Sequence, residues 1–263
     1  MKKYFQLMNV TIAQIFSYRL SFTLWRARNI FNLLFTYFLW TSVFISKPSV
    51  FNYTQNQLVS YILCINFLSS LVLASLTIDV GSDILSGNIM NYLLKPFSFF
   101  KMIVSRDLAD KFVNGFFSIA EIIILLFLFK PNVFIQKDFI SYIVFLISLA
   151  IGIIIAFFIS LSLSFFAFWV NEIWAPRYIY MLLVWSLAGN FFPLDILPKS
   201  IYTILLITPF PYLIYLPSKI FLTGFSPSIL IPMGLSLIWC FILFFVTKKI
   251  WDLGIKNYSA YGR

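Results

Sequence analysis

Apolar residues run almost unbroken along this chain, and the polar positions gather in a few short clusters between the runs. Six apolar runs, at residues 29–46, 57–77, 112–129, 139–168, 178–192 and 229–247, are read as membrane-crossing helices. The physical reason is length, since about 20 predominantly apolar residues cover a hydrocarbon core about 30 Å thick. Strict apolar/polar alternation, the mark of a membrane barrel, is missing. The expected fold is therefore an all-α polytopic membrane protein with six transmembrane helices. No internal repeat or change of composition divides it, so residues 1–263 are taken as a single transmembrane domain.

Three segments break the simple pattern of spans and loops. In residues 1–28, Phe5, Met8, Ile12, Ile15 and Phe16 share one helical face opposite Gln6, Gln14 and Ser17, although Leu7 and Val10 interrupt it. That pattern suggests a helix lying in the membrane interface, with an early start of the first span as the alternative. Residues 78–111 carry large apolar side chains, among them Ile84, Ile89, Leu93 and Leu94, that a watery loop does not tolerate, so this loop must lie on lipid or on a partner. Asp79 and Asp83 suit the N-terminal end of a short helix, Gly87 a left-handed stop, and Asn88 the cap of a second helix that Pro96 ends. Paired positions one turn apart, Ile89 with Leu93 and Met90 with Leu94, would serve the membrane and a partner. The third segment, 193–228, holds six of the eleven prolines, Pro193, Pro198, Pro209, Pro211, Pro217 and Pro227, yet stays apolar between them. Too broken to span and too apolar for water, it is expected to dip into the outer leaflet and return, with protein covering its free backbone groups.

Composition agrees: 61% of residues are hydrophobic and the mean hydropathy is +0.94. The net charge of +10 raises the question of nucleic acid, but sidedness accounts for it. With the N-terminus inside, 14 of the 19 lysines and arginines fall on the cytoplasmic side and 5 outside. This positive-inside bias puts both termini in the cytoplasm of a bacterial-type plasma membrane, with the bilayer and no nucleic acid as surroundings. Arg26 and Arg28 are expected to snorkel to inner headgroups. No cleavable signal precedes the first run. Cys64 and Cys240 lie in apolar runs and read as packing residues, with neither a disulfide nor a metal site implied.

Several chemistries are excluded. The chain has no phosphate-cradling GxxxxGK[ST] loop, so it is not itself an ATPase, and it has no histidine for zinc or general-base work. Of nine acidic residues only Glu121 lies deep within an expected span. It either faces a pathway or neighbouring subunit, or is held internally by a hydroxyl or lysine. Asn66, Asn114 and Asn190 are expected to bond between helices.

The string DILSGNIMNYLLKPFSFF, from Asp83 to Phe100, resembles the cytoplasmic loop of ABC transporter permeases of the type-2 exporter class, in the six-span branch of chains about this long. GNFFPLDILPKSI, from Gly189, followed by TPFPYLIYLPSKIFLTG, is similar to that family's outer re-entrant region. The ending WDLGIKNYSAYG, from Trp251, and Tyr18, Arg19 and Trp25 near the start extend the likeness over nearly the whole chain. Lys95 stands where many relatives carry arginine, which keeps the charge. The resemblance implies a permease subunit of an ATP-driven exporter, paired with an identical or related permease and resting on separate ABC ATPase subunits that bind ATP and magnesium. It makes Asp83, Ser86, Gly87, Asn88, Asn91, Tyr92, Leu93, Leu94, Lys95 and Pro96 the ATPase-coupling residues, and the prolines from 193 to 217 part of an outer gate. A secondary transporter or channel working without ATP, and a lipid-modifying membrane enzyme, remain as alternatives. The first would favour repeated halves with matching broken spans, and the second clustered carboxylates or histidines.

Overall fold

The computed structural model describes residues 2–45, 49–51, 53–96 and 98–258. Met1, Lys47, Phe97 and the tail from Ser259 to Arg263, all of which enter the readings above, lie outside the described residues. Helix α1 (Lys2–Ser17) leads into α2 (Arg19–Val43), and a short antiparallel hairpin, β1 (Ser49–Val50) and β2 (Tyr53–Thr54), precedes α3 (Gln55–Val72). Helices α4 (Thr77–Leu85) and α5 (Ile89–Leu93) flank a tight turn, and α6 (Phe99–Phe129) and α7 (Phe139–Phe165) follow. The chain closes with α8 (Trp174–Leu187), α9 (Lys199–Ile207), α10 (Tyr215–Thr223) and α11 (Leu230–Asn257), separated by 3-10 turns.

Among the described residues, four helical stretches are long and apolar enough to cross a membrane: Gln55–Leu85, Phe99–Phe129, Phe139–Phe168 and Pro227–Lys256. The other two expected spans differ from these for separate reasons. Helix α2 has 25 residues, but Arg19, Arg26 and Arg28 reduce its apolar character. Helix α8 has 14 residues, about 21 Å at 1.5 Å per residue, because the apolar run after it bends away at Gly189, which adopts a positive φ of 83°.

Local chemistry sets the boundaries. Thr54 and Gln57 form a capping box at the start of α3, and Asp138 caps α7 by accepting from the amides of Ile140 at 3.2 Å and Ser141 at 3.1 Å. The Ser141 hydroxyl, 2.5 Å away, and these amides hold the Asp138 carboxyl below the usual range. Helix α6 starts at Phe99, so Lys101, Arg106 and Lys111 belong to a helix and not to the loop expected over 78–111. Two of these charges are met by the fold: Arg106 pairs with Asp79 at 2.6 Å, and Lys111 pairs with Asp107 at 3.2 Å and donates to the Ala74 carbonyl.

Lys3 and Tyr258, near the two limits of the described residues, both reach one end of the bundle. Lys3 Nζ donates to the Pro96 carbonyl at 3.2 Å and the Tyr258 hydroxyl donates to the Ile84 carbonyl at 3.2 Å. A core of Val80, Ile84, Ile89, Phe99, Leu161 and Phe165 fills this terminal end. A larger core, built from α3, α7, α10 and α11, occupies the middle and far end. The expected N-terminal helix is present as α1, but it lies along α6 with Leu7 and Thr11 turned inward, so Leu7 completes a packed face instead of spoiling a lipid face. Phe5, Val10 and Phe16 stay exposed.

Candidate functional site

The terminal end presents an interrupted hairpin, residues 77–96. Helix α4 is seated deeply, with Thr77, Val80, Gly81 and Ile84 buried against α7. Gly81 permits the approach, because a Cβ there would lie 3.3 Å from the Ser164 carbonyl and 2.5 Å from Ile173. Thr77 shares a 2.6 Å hydrogen bond with Ser160 and its carbonyl accepts from Ser164 at 2.6 Å. The chain then reverses at Gly87, with φ 80°, as the sequence leads one to expect. Two details differ from expectation. Asp83 lies in the last turn of α4 and not near its start, and Asn88 sits at the head of α5 without a capping bond from its side chain.

Helix α5 rests on one fully buried residue, Ile89, with Tyr92 half-buried. Everything else at the tip faces outward. Ser86, Asn88, Asn91, Lys95 and Pro96 are exposed, and so are the apolar Leu85, Met90, Leu93 and Leu94, the last 82% exposed. The expected split of the two apolar pairs is thus uneven, since only Ile89 of the four is buried. The C-terminal residues hold this tip: Trp251 stacks on Phe99 at 5.1 Å between ring centres, Gly254 leaves room for the Phe168 ring, and Tyr258 caps the carbonyl end of α4.

The far end carries the second interrupted hairpin, residues 193–227. Its prolines all stand where no backbone donor is required: Pro193, Pro198 and Pro209 precede helical turns, and Pro211, Pro217 and Pro227 lie in first turns. The turn from Tyr212 to Leu216 is buried, and it meets α7 at Gly152, where a Cβ would lie 2.9 Å from the carbonyls of both Tyr212 and Leu213. Gly152 is midway along α7, so this turn reaches to half the depth of the bundle. Protein groups cover its exposed carbonyls, as a dipping segment requires. Trp239 donates to Ile207 at 3.0 Å and Tyr212 donates to Leu206, and just before the hairpin Trp40 donates to Phe191 at 3.0 Å. At the surface Asp195 accepts from the Tyr53 hydroxyl at 3.0 Å and pairs with Lys219 at 3.2 Å. Burial and the Asp195 carboxylate push the Tyr53 hydroxyl well above its usual pKa.

Between the two hairpins lies a cavity of about 620 Å³ bounded by α2, α3, α7 and α8. Ser75 and Ile78, at the root of α4, line one part of it, and Asn190 and Phe191, just before the far-end hairpin, line another. Its polar wall comes from Asn29, Asn32, Thr36, Asn66 and Ser69, spaced along α2 and α3 so that they share the inner faces. Sequence reading missed this wall, apart from the expectation that asparagines bond between helices. Asn66 does so, accepting from Ser118 of α6 at 2.8 Å; Asn190, in the bend after α8, accepts from Ser69 of α3 at 2.9 Å.

Glu121 is not in that cavity lining. Its carboxylate pairs with Arg26 at 3.1 Å, and Arg26 also donates to Asn114 at 2.6 Å. Its partner within the chain is thus an arginine, not the lysine or hydroxyl considered from sequence. Arg26, only 6% exposed, correspondingly does not snorkel to headgroups. The two side chains lie 95 positions apart, so no local pattern could have joined them. Among the described residues no cluster of histidine, cysteine or acidic side chains could hold a metal ion, and both cysteines are free.

These features define a polytopic helical membrane protein with a central cavity flanked by two interrupted hairpins. The profile of a family described as ABC-2 family transporter protein matches residues 30–262, and the chain belongs to that family. It is a membrane component of the ABC transporter class. The search of curated proteins found no match.

Proposed function

We propose that this chain is the permease subunit of an ATP-driven exporter, working as one of two identical or related permeases on two separate ATP-hydrolysing subunits. In this reading α2 and α8 complete six spans, both termini and the α4–α5 turn face the cytoplasm, and residues 193–228 form an outer gate. The observation that carries it is the tip of the 77–96 hairpin, an exposed apolar knob on a deeply seated base. A knob of this kind fits a cleft on a partner, and the rigid base passes the partner's displacement inward. Helix α4 is bonded to α7 through Thr77, and Ile78 lines the cavity, so movement of the tip changes the cavity wall. The bias of 14 to 5 in basic residues supports the sidedness.

The test uses the complex with its ATPase. Cysteines placed at Asn88 or Asn91 should crosslink to the ATPase, and Leu93→Asp should abolish transport in vesicles while the protein still inserts. A charge forced unpaired into an apolar contact costs on the order of several kcal/mol. Absence of a crosslink from both sites, with unchanged ATPase turnover and transport in Leu93→Asp, would remove this reading. Native mass measurement should give two permeases per two ATPases.

A further inference from the structure

The cavity lining is chemically one-sided, with two arginines, Arg28 and Arg177, and no carboxylate. Three other cations that the fold covers at this end are neutralised within the chain: Arg26 by Glu121, Arg106 by Asp79 and Lys111 by Asp107. Among the described residues neither Arg28 nor Arg177 has a carboxylate within ion-pair distance. Arg177 is fixed by neutral groups only, donating to the Ser160 hydroxyl and carbonyl at 3.3 Å each and to the Ser164 hydroxyl, and its Nε is buried without a partner. The exposed Arg28 guanidinium lies over the Trp25 ring, its central carbon 3.7 Å from the ring centre, and its N–H groups make no hydrogen bond among the described residues. A guanidinium stays charged in any protein environment, so two of them at the wall of a half-enclosed cavity create a standing demand for an anion. Along α8 the lining is aromatic, with Trp174, Tyr178 and Trp185 exposed. Such rings cover an apolar body at low entropic cost.

We infer that the cavity binds amphiphiles bearing an anionic head group, carboxylate or phosphate, with the head drawn to Arg28 and Arg177 and the apolar body laid along the aromatic wall of α8. Naming this as the substrate class rests on the cavity's being part of the proposed export pathway; the binding itself does not. An anionic bilayer lipid and a smaller anionic amphiphile meet the same chemistry.

The test places the full-length chain in phosphatidylcholine nanodiscs and titrates dansylated undecanoic acid against the same probe carrying trimethylammonium instead of carboxylate. Binding is read as energy transfer from tryptophan. The carboxylate probe should bind saturably and about tenfold more tightly than the cation, as one charge-assisted hydrogen bond supplies. Arg28→Gln should remove most of that preference, and Arg177→Gln should do the same while Arg177→Lys retains it. Arg177 also joins α8 to α7, so Arg28→Gln, which breaks no hydrogen bond between helices, decides the matter if the Arg177 variants do not fold. Displacement of the probe by added phosphatidylglycerol identifies a bilayer lipid as occupant, and retention identifies a smaller amphiphile. Equal binding of the two probes, or an unchanged carboxylate affinity in Arg28→Gln, would overturn the inference. Charge-selective binding without ATP-driven movement in the complex would instead remove the export reading and leave this one standing.

Discussion

The hairpins at residues 77–96 and 193–227 are made of the same material, short apolar helices broken by glycine or proline, yet the fold treats them oppositely. At the terminal end the base is buried and the tip is exposed: Ile84 and Ile89 are covered while Leu94 projects. At the far end the tip is buried, with Tyr212 to Leu216 seated against the middle of α7, and the surface part is tied by Asp195, Tyr53 and Lys219. Burial of a tip seals a structure, whereas exposure of an apolar tip leaves a contact unmade. The difference teaches that apolar content alone does not tell a plug from a handle; what decides is which part of the hairpin finds close-packed partners within the chain.

The largest effect should come from unseating the far-end tip. Gly152→Leu drives a side chain into the two carbonyls already 2.9 Å from its Cβ direction, and backbone cannot step aside as a flexible side chain does. Overpacking of this kind should cost about 3 kcal/mol or more, a fall in thermal midpoint on the order of 10 °C. Heating the detergent-solubilised protein and reading the surviving monodisperse fraction by size exclusion measures it. A midpoint within a degree or two of wild type would mean that the turn does not reach α7.

Gly87→Val should have an intermediate effect for a different reason. The nearest atom to a Cβ there is the Tyr258 hydroxyl at 3.9 Å, so space is available and the cost is the left-handed backbone alone, about 1–3 kcal/mol for a β-branched residue. Gly87→Asn should restore most of it, since asparagine tolerates that conformation. The same thermal assay separates the two variants; equal midpoints for them would show that φ is not the constraint.

Much of this contrast was legible beforehand. Gly87 between two apolar stretches signalled a reversal, and the proline spacing of 193–227 ruled out a continuous span. What could not be read depends on partners remote in sequence. The charges at 99–111 looked like loop, yet Arg106 and Lys111 are helical because Asp79 and the Ala74 carbonyl receive them. Nothing in the sequence singles out Gly152, on which Tyr212 and Leu213 come to lie. The tail bore a recognisable pattern of Trp251, Gly254 and Tyr258, but its role, bracing the root of the exposed tip, emerges only when Tyr258 meets the carbonyl end of α4.

A smaller effect is expected from the surface tie of the far-end hairpin. Asp195→Asn keeps the shape but removes the charge that Lys219 meets at 3.2 Å, and both side chains are partly exposed. The pair should be worth about 1 kcal/mol or less, and Lys219→Gln should add little once Asp195 is changed. A double-variant cycle on thermal midpoints measures the coupling. If either single change matched Gly152→Leu, the surface tie and not the buried tip would hold the hairpin.

The smallest change in stability should come from the most apolar substitution site on the surface of the terminal-end tip. Leu94 is 82% exposed, and Leu94→Asp removes almost no packing within the chain, so its stability should stay within about 0.5 kcal/mol of wild type. The tip lies just beyond α5, whose carbonyl end disfavours an acid only weakly when solvated. Improved behaviour in dilute detergent is expected as well, because an exposed apolar contact has been removed. The informative outcome is the pairing of two measurements: unchanged stability of the isolated chain together with lost association in the complex means that Leu94 serves a surface outside this chain. A stability loss approaching that of Gly152→Leu would place Leu94 in an internal contact, and the opposition between a sealed tip and a presented tip would fail.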